Sequence, residues 1–175
     1  MLFREKGYKA TGMRDLAKSL SVEAPSLYNH IGSKSSLLQK ICEEVSNDFM
    51  EHLEKVENAA LSPLQKMEAL IRFQIKMHLK KFDEVQVANT EWKYLSPQAA
   101  AKYIQQRRKY ENKMVLILKQ GIHQKIFRKT KPQIAVLTLL SALRSIGFLQ
   151  KYKTHFTPRV LENQITQQLL NGIIS

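Results

Sequence analysis

The run Leu27-Tyr28-Asn29-His30, followed four positions later by Lys34, carries the clearest chemistry in this chain. A phenol, an amide, an imidazole and an ammonium so close together can hydrogen-bond nucleobase edges and phosphate oxygens. Tyr28 can also lay its ring on a sugar while its hydroxyl reaches a phosphate. If Leu27 and Ile31 point inward, then Ala24, Pro25, Ser26, Tyr28 and Asn29 can face a groove, with His30 beside them. Thr11 offers a hydroxyl that can cap a helix or share a phosphate. Lys34 would stand in the first turn of a helix, where a cation opposes the helix dipole unless a phosphate docks there too.

Other chemistries lack their residues. His30, His52, His78, His123 and His155 are isolated, with no metal-ligand or triad spacing. No glycine pair has the GxGxxG spacing. Gly7 and Gly12 are five apart, but Met13-Arg14 follows where a phosphate loop needs Lys-Ser/Thr. The single cysteine, Cys42, allows neither an intrachain disulfide nor a cysteine zinc site, which favours a cytoplasmic setting. The expectation is therefore a protein that is no enzyme and needs no cofactor. A helical enzyme would need converging titratable groups.

These residues need elements to hold them. The chain has 175 residues, 43% of them hydrophobic, enough for a core. Only 6 Gly and 5 Pro argue against a turn-rich sheet protein and for an all-α one. Met13, Leu16, Ala17 and Leu20 form an i, i+3, i+4, i+7 stripe over residues 13–20, with Thr11 placed as its cap. A second short helix spans 24–31, ended by Gly32. Ser33 then caps a long helix with Leu37, Leu38, Ile41, Val45 and Phe49 on one face. Ser62-Pro63-Leu64-Gln65 is a capping box opening a helix to about Lys81. A short helix near 83–94 and one from Pro97 to about Gln124 follow, the latter tolerating Gly121. Pro132 and Pro158 suit the first turns of two more. The expectation is eight or nine helices. Two short helices and a tight turn before a long helix is helix-turn-helix arithmetic.

The N-terminal residues add specificity. Phe3, Gly7-Tyr8, Thr11, Leu16-Ala17, Val22, Leu27-Tyr28-Asn29-His30, Ser33-Lys34 and Leu37-Leu38 resemble the TetR family of bacterial repressors over residues 3–40. Ser21 stands where that family has a turn glycine, Leu16 replaces Ile and Ile31 replaces Phe. The family places several more residues before Phe3, so the first helix reads as truncated. The resemblance implies a DNA-binding domain over 1–45, a ligand-binding and dimerisation domain over 46–175, and a homodimer on double-stranded operator DNA.

Net charge is +13, from 28 Lys+Arg against 15 Asp+Glu, which suits a polyanionic partner. Glu91-Trp92-Lys93-Tyr94-Leu95-Ser96-Pro97, Tyr103 and Arg107-Arg108-Lys109-Tyr110-Glu111 resemble a TetR subgroup that controls fatty-acid and phenylacetate degradation. Several of its members respond to acyl-CoA thioesters. From Lys102 to Lys131 ten basic residues face only Glu111, a pattern suited to a phosphorylated ligand such as an acyl-CoA, or to a solvated basic face. Trp92, Tyr103 and Phe148, with Tyr152, suit either a core or an apolar pocket; Arg107, Arg108 and Arg144 suit an anionic head. Arg144 interrupts Ile134–Leu149, which reads as a buried helix, so it should meet a ligand anion or a carboxylate such as Glu91 or Glu162. That helix and the last one, with Val160, Leu161, Ile165, Leu169 and Leu170, are the expected dimer pair. No stretch reads as a membrane span or signal peptide. The rival expectation is a basic helical nucleic-acid-binding protein without sequence preference.

Overall fold

Helices begin where side chains can satisfy their first N–H groups. The computed structural model describes residues 2–147 and 155–174, with Ala24 by its backbone. In chain order these form α1 (Leu2–Lys6), α2 (Met13–Ser19), α3 (Ala24–Ile31), α4 (Lys34–Asn58), α5 (Pro63–Lys80), α6 (Phe82–Glu91), a 3-10 turn (Trp92–Tyr94), α7 (Pro97–His123), α8 (Pro132–Arg144) and α9 (Pro158–Asn171). The all-α expectation holds: among the described residues the only β feature is an isolated bridge between Phe127 and Ile174. The Ser62 hydroxyl accepts from Gln65 N–H at 3.3 Å while Gln65 Oε1 accepts from Ser62 N–H at 2.9 Å, the capping box read from sequence. Ser33 Oγ accepts from Ser36 N–H at 3.0 Å and starts α4. Thr157 does the same for α9. Proline opens α5, α7, α8 and α9, where its missing N–H costs nothing.

The chain divides into two compact units, Met1–Asp48 with Asp83–Gln106, and Phe49–Phe82 with Arg107–Ser175. The first is built on Phe3, Leu16, Ala17, Leu27 and Leu38, all buried. Cys42 belongs to this interior; burial first, and the Glu43 carboxylate second, push its thiol up to about 12, so it is no nucleophile at neutral pH. The second unit centres on Met67, Leu70, Ile71, Met114, Leu118 and Leu143. There α5 packs against both α8 and α9.

Two readings of the apolar pattern need correction. Leu20 does not complete the α2 stripe: the helix ends at Ser19 and Leu20 is 61% exposed. The backbone reverses there, with Ser21 at φ +54°. The apolar run from Ile134 is not one buried helix either. It ends at Arg144, and Ile134 and Leu137 point outward while Val136, Leu139, Leu140 and Leu143 point inward.

Ser21 carries a prediction. A non-glycine residue at positive φ costs roughly 1–2 kcal/mol, and glycine gives back roughly 0.4–1 kcal/mol through its freer unfolded chain. Ser21→Gly should therefore raise stability by about 0.5–1 kcal/mol. An unchanged or lower urea midpoint would show that the turn is unstrained.

Candidate nucleic-acid interface

One side of α3 is exposed and the other is buried. Leu27 is 5% exposed and anchors α3 against α2, whereas Tyr28 is 49% exposed. Pro25, Ser26, Asn29 and His30 are exposed as well, and Ile31 is half-buried. Polar groups thus cover the outward side of an eight-residue helix, as the sequence predicts. Gly32, at φ +68°, ends the helix with its N–H donating to the Tyr28 carbonyl at 2.8 Å.

Thr11 is placed otherwise than expected. Gly12, not Thr11, is the N-cap of α2, and its N–H donates to Asp15 Oδ2 at 2.8 Å. Thr11 is fully buried, and its hydroxyl donates to the Gly7 carbonyl at 2.8 Å. It closes the 7–11 loop and presents nothing to a phosphate. Lys34 is half-buried, and its ammonium donates to the carbonyls of Tyr8 and Thr11, each at 3.0 Å. It also sits 4.4 Å from the Tyr8 ring centre. Two carbonyls and a π-face answer the cation that would otherwise oppose the α4 dipole.

Tyr8 is the hinge-pin of this unit, a role its spacing alone did not announce. Its ring stacks on Tyr94 at 5.4 Å and meets the Phe3 edge at 5.4 Å, and its N–H donates to Glu91 Oε2 at 3.1 Å. Arg4 pairs with Asp83 at 3.1 Å. Arg14 and Lys18 on α2 and Lys9 before it are exposed cations that sequence reasoning passed over. The signal was available: residues 1–40 hold seven Lys/Arg and three Asp/Glu.

The residues expected at an effector site divide between the units. In the first, Trp92 is half-buried and stacks on Tyr103 at 6.4 Å; Tyr103 is buried and donates to the Ala88 carbonyl at 2.8 Å. In the second, Arg107 is half-buried and Arg108 exposed. Arg144 is exposed rather than buried, because it is the last residue of α8 and lies on the helix's outward side. Its charge still reaches inward: burial, then Arg144, holds His78 down to about 4, so that imidazole is neutral at pH 7. Phe148 and Tyr152 lie outside the described residues. The basic stretch is partly answered by α4, since Lys102 pairs with Glu43 at 3.4 Å and Lys113 with Glu57 at 2.6 Å. Lys119, Lys125, Arg128, Lys129 and Lys131 are exposed.

Residues 1–41 match the bacterial regulatory proteins of the tetR family, and residues 60–173 match the tetracyclin repressor-like C-terminal domain. The chain belongs to the TetR family. Its TetR relatives include the HTH-type transcriptional repressor KstR2 of Mycolicibacterium smegmatis, 32% identical over 132 residues, or 73% of this chain and 62% of that protein. The chain thus spans just under two thirds of the length of this relative. The TetR fold is also that of KstR2 of Mycobacterium tuberculosis, a ketosteroid transcriptional regulator, with a TM-score of 0.91 at 19% identity over 99% of this chain and 90% of that one. AibR, solved with isovaleryl coenzyme A and operator DNA, gives a TM-score of 0.79 at 23% identity over 99% and 92% of the two chains. The TetR regulator PfmR of Thermus thermophilus gives 0.82 at 25% identity over 97% and 93%. Among the described residues no helix is long and apolar enough to cross a membrane.

Proposed function

We propose that this chain is a sequence-specific transcriptional repressor that binds double-stranded operator DNA as a homodimer and is released by a small molecule. Residues 1–45 are assigned to DNA contact and 46–175 to ligand binding and dimerisation. The observation that carries the reading is the outward row Ser26, Tyr28, Asn29 and His30 on α3, backed by buried Leu27. The effector is assigned as an acyl-CoA or a related apolar carboxylate. Support comes from the exposed cations of the 107–131 stretch and from AibR, a fold relative that binds an acyl-CoA. Effector binding would favour a spacing of the two α3 helices that no longer fits two half-sites one DNA turn, roughly 34–36 Å, apart.

Tyr28→Ala should weaken binding to a selected operator by about ten- to a hundredfold in a fluorescence anisotropy titration, with the melting temperature nearly unchanged because the side chain is half exposed. Parent-like affinity of this variant would remove α3 from the interface. Equal binding to all sequences, with a full salt response, would favour the basic protein without sequence preference. Isovaleryl coenzyme A added to the operator complex tests release directly.

A further inference from the structure

The angular order of the residues on α3 decides which of them a partner in front of the helix meets. Counting about 100° per residue from buried Leu27, Ile31 falls at about 40°, on the same inward side, while Pro25 and Asn29 fall at about 160° and about 200°. Pro25 and Asn29 therefore hold the middle of the exposed side, one turn apart, and both are exposed. Tyr28 flanks them on one side, Ser26 and His30 on the other. Glu23, the N-cap, precedes the helix. α2 packs against α3 and carries exposed Arg14 and Lys18, with Lys9 before it. α3 itself holds no arginine or lysine.

This order separates two kinds of contact. The cations of α2 suit phosphates, which carry charge and no sequence. The middle of α3 offers a carboxamide and an apolar ring. A carboxamide pairs one acceptor with one donor, the complement of adenine, whose major-groove edge sets the N6 donor beside the N7 acceptor. Guanine shows two acceptors there, N7 and O6, which arginine or lysine matches best, and α3 has neither. The Pro25 ring has no N–H to give and matches the one apolar feature of the groove, the thymine methyl. Resting on the repressor reading above, we propose that Asn29 and Pro25 make the middle of α3 a reader of A·T pairs: in each operator half-site Asn29 bonds an adenine and Pro25 packs on a thymine methyl. Four residues at about 1.5 Å each set the two side chains about 6 Å apart along α3, so the two bases lie within about two base pairs of each other. The α2 cations set the affinity and its salt dependence, and this pair sets the sequence.

The test selects duplexes from a pool randomised over about 20 base pairs, two DNA turns, with the full chain as parent, as Asn29→Ala and as Asn29→Arg. Both Asn29 and Pro25 are exposed, so their variants keep the fold, which the melting temperature checks. The parent should enrich an A·T pair in each half-site that Asn29→Ala no longer requires, and Asn29→Arg should enrich G·C at that pair. In the site the parent selects, 7-deazaadenine in place of that adenine keeps the base pair and removes N7. Fluorescence anisotropy should show the parent binding this duplex about three- to tenfold more weakly, and Asn29→Ala binding both duplexes alike. Uracil in place of one thymine within two base pairs of it deletes only a methyl; it should weaken the parent and leave Pro25→Ser indifferent. A G·C pair at the Asn29-dependent position, an unchanged selected site in Asn29→Ala, or a parent that tolerates either base analogue overturns the proposal and keeps the repressor reading. A parent that selects no preferred sequence removes both.

Discussion

Replacing Gly121 by alanine lowers the stability of this chain by about 2–4 kcal/mol. The sign is not obvious, since a glycine inside a helix normally gains about 1 kcal/mol on becoming alanine. Here a Cβ at position 121 would overlap the ring carbons Cδ2 and Cε2 of Phe127. The ring has nowhere to go. Phe127 is 1% exposed within the core of the second unit. The backbone on either side of it is fixed as well: the N–H groups of Ile126 and Phe127 both donate to the Gly121 carbonyl, at 2.8 and 3.2 Å, and Arg128 N–H donates to the Ile173 carbonyl at 2.9 Å. Lys125 reaches this arrangement only by adopting φ +58°. Expelling a buried Phe ring costs roughly 3–5 kcal/mol, and the helix gain subtracts about one. Urea denaturation measures the difference. Gly121→Ala combined with Phe127→Leu should recover part of the loss, because the smaller side chain vacates the Cβ position. A single variant as stable as the parent would mean that the ring can move aside.

That glycine shows where sequence reading stops. Read as a pattern, Gly121 is merely tolerated near the end of a long helix. Its requirement comes from a phenylalanine six residues later that folds back across the helix, a contact no local periodicity announces. Features that depend on neighbours in sequence were legible. The Ser62–Gln65 capping box, the Ser33 cap and the prolines that open four helices all involve residues within one turn, and each is found where the spacing places it. The exposed row of α3 was legible for the same reason: Leu27 and Ile31 lie one turn apart and share the inward side, which leaves Tyr28 and Asn29, about 100° and 200° round the helix from Leu27, to face outward. Thr11 failed because a hydroxyl next to a helix start has two local options, and the choice between the cap and the Gly7 carbonyl is made by the closed loop around it. Arg144 failed because an apolar run predicts burial only while the helix continues, and this one ends there. The Tyr8–Tyr94 stack is a product of tertiary packing, and nothing in the spacing of those residues distinguishes them from ordinary core aromatics.

Leu137→Glu should convert the proposed dimer to monomers and weaken operator binding about a thousandfold, from specific affinity to the weak level of single-site phosphate attraction. The argument starts from what each protomer leaves uncovered. The apolar residues of α9 named from sequence are mostly used within the chain: Leu161 and Leu170 are buried and Ile165 and Leu169 partly so. What α9 presents outward is Arg159 and Val160 followed by Asn163, Gln164, Gln167, Gln168 and Asn171. On α8 the outward row is Ile134, Leu137, Thr138 and Ser141, with Ile134 58% and Leu137 52% exposed. A two-fold axis along these helices would cover each residue with its own copy's neighbourhood, burying two aliphatic pairs and leaving amides at the margin. Leu116 on α7 is 55% exposed too, but Lys113 and Lys119 lie one turn to either side, so it forms no continuous apolar row. Because Leu137 is half exposed in the single chain, a glutamate there costs the protomer little. In the pair it brings two carboxylates onto an apolar face that must dry, two turns from Arg144, the cation of α8. Sedimentation at micromolar concentration separates the outcomes. Monomers with a parent-like circular dichroism spectrum support the α8–α9 pairing, whereas a dimer that still binds operator tightly places the two-fold contact on another surface.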